Sequence, residues 1–280
     1  MKKIIFMPLL LLFFNAEAQQ SVVFKMKYQP DHSYDAATTL SMNANITLSG
    51  DTNIIAKLKS KGVIQPITLN METSINGSTK TGPADANNNI PITINYKIGQ
   101  ISISFNGKKI DVPQKINSDR TIYGHVNAAG TLKSDSISGA KIKDTSSKTA
   151  SQLINSIQNK IKFPDHPLKV GDTFTQDLPM NIPIGSNDTE ADVKVIYKLV
   201  KIDGGNAYFD MDQTMNMQLT FKQSPITLTG SGTGKLIYDI RDSFPTDYSS
   251  NLNFKFNGKF ATLTLDGIAQ LNTSYKYTIN

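Results

Sequence analysis

Apolar and polar residues alternate with a period of two along much of this chain. The longest run is 207–221, where Phe209, Met211 and Met215 occupy odd positions and mostly polar residues occupy the even ones. A period of two places successive side chains on opposite faces of a strand. Shorter runs of the same kind are 24–28, 101–105 and 252–256. The pattern predicts antiparallel strands with one buried and one solvated face.

Turn signals separate these runs. Asn-Gly and Asp-Gly pairs favour tight hairpin turns because their central residues adopt positive φ angles. Such pairs begin at Asn76, Asn106, Asp203, Asn257 and Asp266. They predict a six-stranded meander over 192–202, 206–221, 225–240, 246–256, 259–265 and 268–279. Strands this long favour a curved sheet, either a half-barrel or a barrel-like meander.

One segment has helical periodicity instead. Leu153, Ile154, Ile157 and Ile161 share one helical face, so the spacing predicts an amphipathic helix near 147–161 that ends before Pro164. The helix and the proline-containing segment after it predict a division into an N-terminal β half, 19–162, and a C-terminal β-meander half, 163–280. A single continuous domain is the alternative reading.

The first eighteen residues follow the order of a secretory signal peptide. Lys2 and Lys3 precede the apolar run 4–14, and Ala16-Glu17-Ala18 supplies a cleavage site. The apolar run is too short for a spanning helix of about 20 residues. The sequence therefore predicts a chain cleaved after Ala18, exported to the periplasm or beyond, with no transmembrane anchor.

Composition and charge exclude some classes of protein. The chain has no cysteine, which excludes disulfides and a lipid-bearing cysteine after the signal peptide. The net charge is +6, with the lysines spread along the sequence rather than gathered in runs. Nucleic-acid binding is not indicated, because it calls for a concentrated basic face.

Three segments carry a family resemblance. Residues 163–174 read F-P-D-H-P-L-K-V-G-D-T-F, Tyr28-Gln29-Pro30 lies near Tyr34, and 230–235 is glycine-rich. In these features the chain resembles a secreted bacterial β-rich family of unknown function. Phe174 stands where that family more often has Trp. The resemblance covers most of the mature chain, implies an exported β protein and transfers no catalytic residues.

Candidate chemistry is sparse. His32, His125 and His166 are scattered, and His32 and His166 lie in proline-rich turns; they are interpreted as solvated histidines, with a site where the two halves meet as the alternative. Asp188, Glu190 and Asp192 would share one face of a strand and could bind Ca²⁺, but they are interpreted as a loop edge, and the segment that begins at Asp85 fails the spacing of a calcium loop. The Gly230 segment fails the spacing of a phosphate-binding loop. The sequence thus predicts no catalytic, cofactor-binding or metal-binding residue, no cofactor, and no enzyme activity.

One apolar face remains as a candidate site. It consists of Phe209, Met211, Met215, Met217 and Leu219. Methionine fills irregular cores and also lines adaptable apolar cavities, so both readings stay open.

The leading hypothesis is a non-enzymatic exported protein that binds a lipid, another apolar small molecule or an envelope protein. The alternative is a structural or interaction protein of the envelope with a packed core. An outer-membrane barrel and a hydrolase are less favoured, and the oligomeric state is left open.

Overall fold

The computed structural model describes residues 21–99, 101–111, 119–128, 130–138, 161–184, 187–221 and 224–280. The described chain is mainly β, with one helix, α1 (Thr52–Ser60). The first strands are β1 (Ser21–Val22), β2 (Ser33–Gly50), β3 (Ile67–Thr81), β4 (Ile90–Ile98), β5 (Ser102–Phe105), β6 (Lys108–Ile110), β7 (Asp119–Val126) and β8 (Leu132–Ile137). The later strands are β9 (Leu168–Lys169), β10 (Thr173–Ile184), β11 (Asn187–Asp203), β12 (Asn206–Phe221), β13 (Ser224–Asp239), β14 (Phe244–Phe260) and β15 (Leu263–Ile279).

Thirteen of these strands form one antiparallel sheet. Its order is β10-β11-β12-β13-β14-β15-β2-β3-β4-β7-β8, with the β5-β6 hairpin attached to β3. The sheet is not closed, since pairing among the described residues begins at β10 and ends at β8. The prediction of long antiparallel strands in a curved sheet is therefore confirmed. Strands from both sides of residue 163 share this sheet through β15 and β2, and the two-half division stays a prediction.

Glycines on the apolar face of β13 let the backbone of β14 approach closely. A Cβ added at Gly232 would lie 2.3 Å from the carbonyl oxygen of Asn251 in β14, and one at Gly230 would lie 2.5 Å from that of Asn253. A side chain at either position would force the neighbouring backbone to shift. Glycine inside a strand is typical of a bend or a close backbone approach.

The apolar face carries two cores. The first core packs alternate residues of β11, β12 and β13 with Phe24 and Leu168. The second core packs Tyr28, Tyr34 and Phe244 with β4 and β7. The opposite face of the sheet is more polar and more exposed, as in β12, where every second residue from Asp210 to Gln218 is exposed.

The segment 23–29 is not a strand, although its alternating pattern predicted one. Phe24 and Tyr28 are buried while the lysines between them are exposed. The Lys25 N–H donates to the Tyr238 hydroxyl at 3.2 Å, and that hydroxyl donates to the Lys25 carbonyl at 2.6 Å. The backbone of 23–29 is thus held by single contacts against the apolar face, and its side chains join both cores.

Helix α1 was not predicted, and it connects β2 to β3. Asp51 is its N-cap, with Oδ1 accepting from the backbone N–H groups of Asn53 at 2.9 Å and Ile54 at 3.2 Å. No residue of α1 is buried. The predicted helix near 147–161 falls almost wholly outside the described residues. Within the described ranges, no helix is long and apolar enough to cross a lipid bilayer.

Two of the predicted hairpin turns are wrong. Asn257-Gly258 and Asp266-Gly267 lie opposite each other inside the β14-β15 ladder, where Asn257 pairs with Asp266. The turn itself is at 261–262, with φ +51° at Ala261. The meander consequently has one strand fewer over 246–279 than predicted. The cross-strand amide-to-carboxylate contact gives this Asn and Asp a role within the ladder.

The pair Asn76-Gly77 is also wrong as a turn, because it lies within β3. Asn106-Gly107 does form the β5-β6 turn, with both φ angles positive at 47° and 76°. The β11-β12 turn uses Gly204 and Gly205, one position beyond the predicted pair. Of the five Asn-Gly and Asp-Gly pairs, the one at Asn106 forms a turn and the one at Asp203 lies one position from a turn. The other three lie inside strands.

Candidate functional site

The predicted ligand face of β12 lies inside the first core. Phe209 is 1% exposed, Met211 2%, Met215 4% and Met217 6%. Leu219 continues the same strand, opposite Ile226 of β13. The four described side chains are in contact with other core residues, so this part of the apolar face is filled by the protein itself.

A buried amide fixes the packing of this face. Gln213 lies among the methionines and is 5% exposed. Its Nε2 donates to the Tyr248 hydroxyl at 3.3 Å, and its Oε1 accepts from the Ser250 hydroxyl at 2.9 Å. Both partners are on β14, so these bonds pass over the glycines of β13 and join β12 to β14. A buried polar group is stable in an apolar interior when it is paired in this way.

A different part of the apolar face is only half-covered. We define the open strip as six half-buried apolar residues of β2, β3 and β5 that belong to neither core: Leu40, Met42, Leu69, Met71, Ile103 and Phe105. Cross-strand register makes the strip continuous, because Met42 pairs with Met71 and Met71 pairs with Ile103. On its other side Met42 pairs with Leu271, which packs against the first core. The strip therefore extends the apolar core outward over three strands.

One polar atom lies within the strip. Thr73 of β3 pairs with Leu40 and lies on the same face. Its hydroxyl oxygen is buried and has no hydrogen-bond partner in the described part of the chain. An unpaired buried hydroxyl costs about 1–3 kcal/mol, so the site is more stable when something supplies a partner. The open strip can thus hold an apolar molecule and offer a single hydrogen bond.

Depressions of about 480, 710 and 750 Å³ lie along the polar face of the described sheet. They are lined mainly by hydroxyl and amide side chains of β13, β14, β15 and β2, and the last of them also by residues of β11 and β12. Many of those groups bond to each other, as in the 2.9 Å contact from Asn253 Nδ2 to Asn251 Oδ1 and the 2.7 Å contact between the hydroxyls of Thr39 and Ser274. The first contact is within β14 and the second joins β2 to β15, and such bonds between polar side chains stabilise the sheet and account for part of this lining.

The titratable groups of the apolar face are tyrosines kept neutral. Burial raises the pKa of Tyr277 to about 12. Burial, together with the neighbouring Tyr248, raises the pKa of Tyr197 above its usual range, and burial does the same for Tyr275. Neutral phenols at every physiological pH pack as large aromatic groups and supply no base.

The histidines occupy separate places. His32 Nδ1 lies 2.6 Å from the Pro30 carbonyl oxygen, and His166 Nδ1 lies 3.2 Å from that of Pro167. His125 lies 3.1 Å from an Asp135 carboxylate oxygen at an exposed position. Among the residues that the structure describes, no group of three or more His, Asp or Glu side chains could hold a metal ion.

Sequence reasoning missed the open strip. Its signal was present in Leu40-Ser41-Met42-Asn43, which alternates as regularly as β12 does. Alternation reports only that one face is apolar. Whether that face is filled depends on the segments that cover it, and those segments are distant in sequence.

These features define the class to which the fold belongs: an open, curved antiparallel sheet with a half-covered apolar face. No protein-family model matches the chain, and no curated protein matches it at a significant level. Among solved structures, the translocator domain of the autotransporter NalP from Neisseria meningitidis aligns at 10% identity, over 89% of this chain and 89% of that chain, with a TM-score of 0.20. A TM-score of this size does not show a shared fold.

Proposed function

We propose that this chain is an exported, non-enzymatic protein that binds a lipid or another apolar small molecule along the open strip. The observation that supports this function is a continuous row of half-buried apolar side chains, with Met42 next to Met71 and Met71 next to Ile103. Burying the exposed part of such a row gains about 25 cal/mol per Å² of apolar surface. The unpaired hydroxyl of Thr73 suits a ligand with one hydrogen-bonding group.

Export is part of the proposal. It rests on the order of Lys2 and Lys3, the apolar run 4–14, and Ala16 and Ala18 before the cleavage point. Expression of the full chain in a bacterial host should give a periplasmic product that begins at Gln19, as measured by intact mass. Replacement of Ala18 by Arg should leave the leader attached. A periplasmic product of full length from the unchanged chain would contradict the cleavage site.

Native mass spectrometry with organic extraction tests the ligand. The exported protein is purified without detergent, and a stoichiometric apolar molecule should accompany it. A fluorescent fatty acid then measures affinity. The double variant Met42→Gln/Met71→Gln should bind the probe about tenfold more weakly, since two amides replace apolar contacts. Ile268→Gln, which changes an exposed isoleucine of the polar face, is the matched control and should bind like the parent.

The contact with Thr73 is tested separately. Thr73→Val keeps the side-chain shape but removes the hydroxyl. It should therefore weaken the binding of a fatty acid probe more than the binding of a hydrocarbon probe of the same length. A clean mass with no carried molecule, together with no probe uptake, would contradict the binding function.

The second candidate function is an interaction protein of the envelope with a packed core. The burial of Phe209, Met211, Met215 and Met217 to between 1% and 6% exposure favours it. On this alternative the open strip is a site for a protein partner. Chemical cross-linking in intact cells distinguishes ligand binding from interaction with a protein. The cross-linker is attached to a cysteine placed at Ile103 on the strip, and a cysteine placed at Ile268 is the control. A single protein adduct formed only from the strip position supports the alternative.

A further inference from the structure

One end of the sheet combines exposed apolar residues with lysines. We define the tip as α1 and the residues 61–66 that lead into β3. Ile64 is 68% exposed, the highest value among the exposed large apolar residues of the described chain, and Ile54 is 38% exposed. Lys57, Lys59 and Lys61 are all exposed. Large apolar side chains held in water beside cations are typical of a surface that meets a partner.

The helical period arranges these residues in an amphipathic pattern. Ile54, Ile55 and Leu58 form one stripe of α1, and Lys57 and Lys59 lie on either side of it. Ile54 is exposed, Ile55 and Leu58 are half-buried, and no residue of α1 is fully buried, so part of the stripe stays accessible. An apolar stripe flanked by lysines is the pattern of helices that lie in a membrane interface, where the lysine stems follow the apolar surface and the ammonium groups reach the headgroups.

Two hydrogen bonds attach the tip to neighbouring turns. The Asp51 N–H donates to the Thr262 carbonyl in the β14-β15 turn at 3.2 Å, and Asn106 Nδ2 donates to the Ile64 carbonyl at 3.0 Å. The β5-β6 and β14-β15 turns therefore lie at the same end of the sheet. Lys108 and Lys259, both exposed, are next to those turns.

The charge at this end is predominantly positive. Residues 51–66 contain three lysines and one acid, Asp51, whose carboxylate caps the helix. On the neighbouring strand Asp266 is already bonded to Asn257. The lysines consequently face solvent as a cationic group, which is complementary to an anionic surface.

We propose that the tip docks on the surface of an anionic lipid membrane. Ile54 and Ile64 enter the boundary between headgroups and acyl chains, while Lys57, Lys59 and Lys61 contact lipid phosphates. An acidic protein surface would match the lysines but would not require two protruding isoleucines, and lipid matches both. The residues of the tip are separate from the open strip, so this docking does not rest on the proposed ligand.

Vesicle flotation tests the proposal. The exported protein, expressed with its leader and purified without detergent, is mixed with vesicles of equal parts phosphatidylglycerol and phosphatidylcholine. It should float with these vesicles at low salt, float much less with phosphatidylcholine alone, and dissociate in salt of about 1 M because of screening. Absence of flotation with anionic vesicles would overturn the proposal.

Matched variants assign the binding to the tip. Lys57→Gln/Lys59→Gln/Lys61→Gln should bind about a hundredfold more weakly. Ile54→Ser/Ile64→Ser should bind about tenfold more weakly. The controls are Lys194→Gln/Lys198→Gln/Lys235→Gln, with the same change of charge on the polar face, and Ile268→Ser. Equal loss in the tip variants and their controls would show general electrostatic adsorption and overturn the proposal.

Two further readouts separate other causes. Fatty acid uptake without vesicles should be unchanged in both tip variants, which keeps failure of docking distinct from failure of the ligand function. Sedimentation measures the oligomeric state. If the isoleucine variant converts a dimer to a monomer and the parent does not bind vesicles, the tip is a self-association surface and the proposal is wrong.

Discussion

In one part of the sheet, β11 to β13, the apolar face is covered, and in another part, β2, β3 and β5, it is left open, although both parts have the same alternating sequence pattern. In the covered part, Phe24, Phe163 and Leu168 pack on the apolar face, and side-chain bonds from β12 reach β14 across the glycines of β13. In the open part, Met42, Met71 and their neighbours are only half-buried. Alternation thus determines which face is apolar, and segments distant in sequence determine whether that face is filled.

The largest expected difference is between two phenylalanines. Phe209 is 1% exposed and contacts the rings of Phe24 at 5.1 Å and Phe163 at 5.9 Å between centroids. Phe209→Ala should lower the free energy of unfolding by about 3–5 kcal/mol. Phe105→Ala in the open strip should cost only about 1–2 kcal/mol, because its ring is half-buried. Urea denaturation followed by circular dichroism measures both, and equal losses would contradict the distinction between the two parts.

Two glycines, one in each part of the sheet, differ in the space around them. At Gly232 a Cβ would lie 2.3 Å from the Asn251 carbonyl oxygen, so Gly232→Ala should destabilise the fold by about 1–3 kcal/mol. At Gly77 of β3 the nearest atom would be 3.6 Å away, an ordinary contact. Gly77→Ala should therefore be neutral or stabilising by up to about 1 kcal/mol, since alanine restricts the unfolded chain. Thermal unfolding of the two variants checks the sign of each effect, and a neutral Gly232→Ala would show that the close approach of β14 does not require glycine.

High pH should unfold the protein through its tyrosines. Burial raises the pKa of Tyr277 from 10.0 to about 12, and it also raises those of Tyr28, Tyr197 and Tyr275. Above pH 10.0 the unfolded chain loses phenolic protons that the folded chain keeps, so stability falls as the pH rises. Below pH 10.0 these tyrosines are protonated in both the folded and the unfolded chain, so they should not change the free energy of unfolding with pH.

Denaturation midpoints measured from neutral to alkaline pH, with phenolate absorbance as a second signal, test this expectation. Replacement of Tyr277 by Phe should reduce the alkaline loss. An unchanged loss in that variant would show that Tyr277 ionises equally well in the folded and unfolded chains.

The smallest effect is expected at α1, which lies outside both cores. Asp51→Ala removes the acceptor for the N–H groups of Asn53 and Ile54 and should cost the helix about 1 kcal/mol. Amide hydrogen exchange in α1 should accelerate about fivefold. Global stability should scarcely change, because no residue of α1 is buried. Asp51→Asn keeps a capping acceptor and should exchange like the parent, and acceleration there would indicate that charge rather than capping is responsible.

Local pattern predicted β12 closely but misplaced its neighbours. The predicted strand 206–221 has the observed bounds, since Asn206 follows a two-glycine turn and only Gln213 interrupts the apolar positions of the alternation. Asn257-Gly258 was misread because a turn dipeptide can also lie within a ladder when its partner strand offers a matching residue, here Asp266. The short helix after Asp51 was missed although its cap and its Ile54–Leu58 spacing were visible. At the candidate site, the Met face of β12 was predicted as apolar, but its filling by Phe24 and β14 depends on contacts that no local pattern contains.

The pairing of β15 with β2 has a kinetic consequence. These two strands lie at the middle of the sheet, and their contacts join residues as far apart as Thr39 and Ser274, 235 positions along the chain. Such a sheet has high contact order and folds slowly, because a long loop must close before the central ladder can form. During synthesis, β2 has no β15 to pair with until residue 279 has been made. A chain that cannot complete its central ladder early stays unfolded for longer, which is compatible with the export proposed above, since a secretion pore passes an unfolded chain.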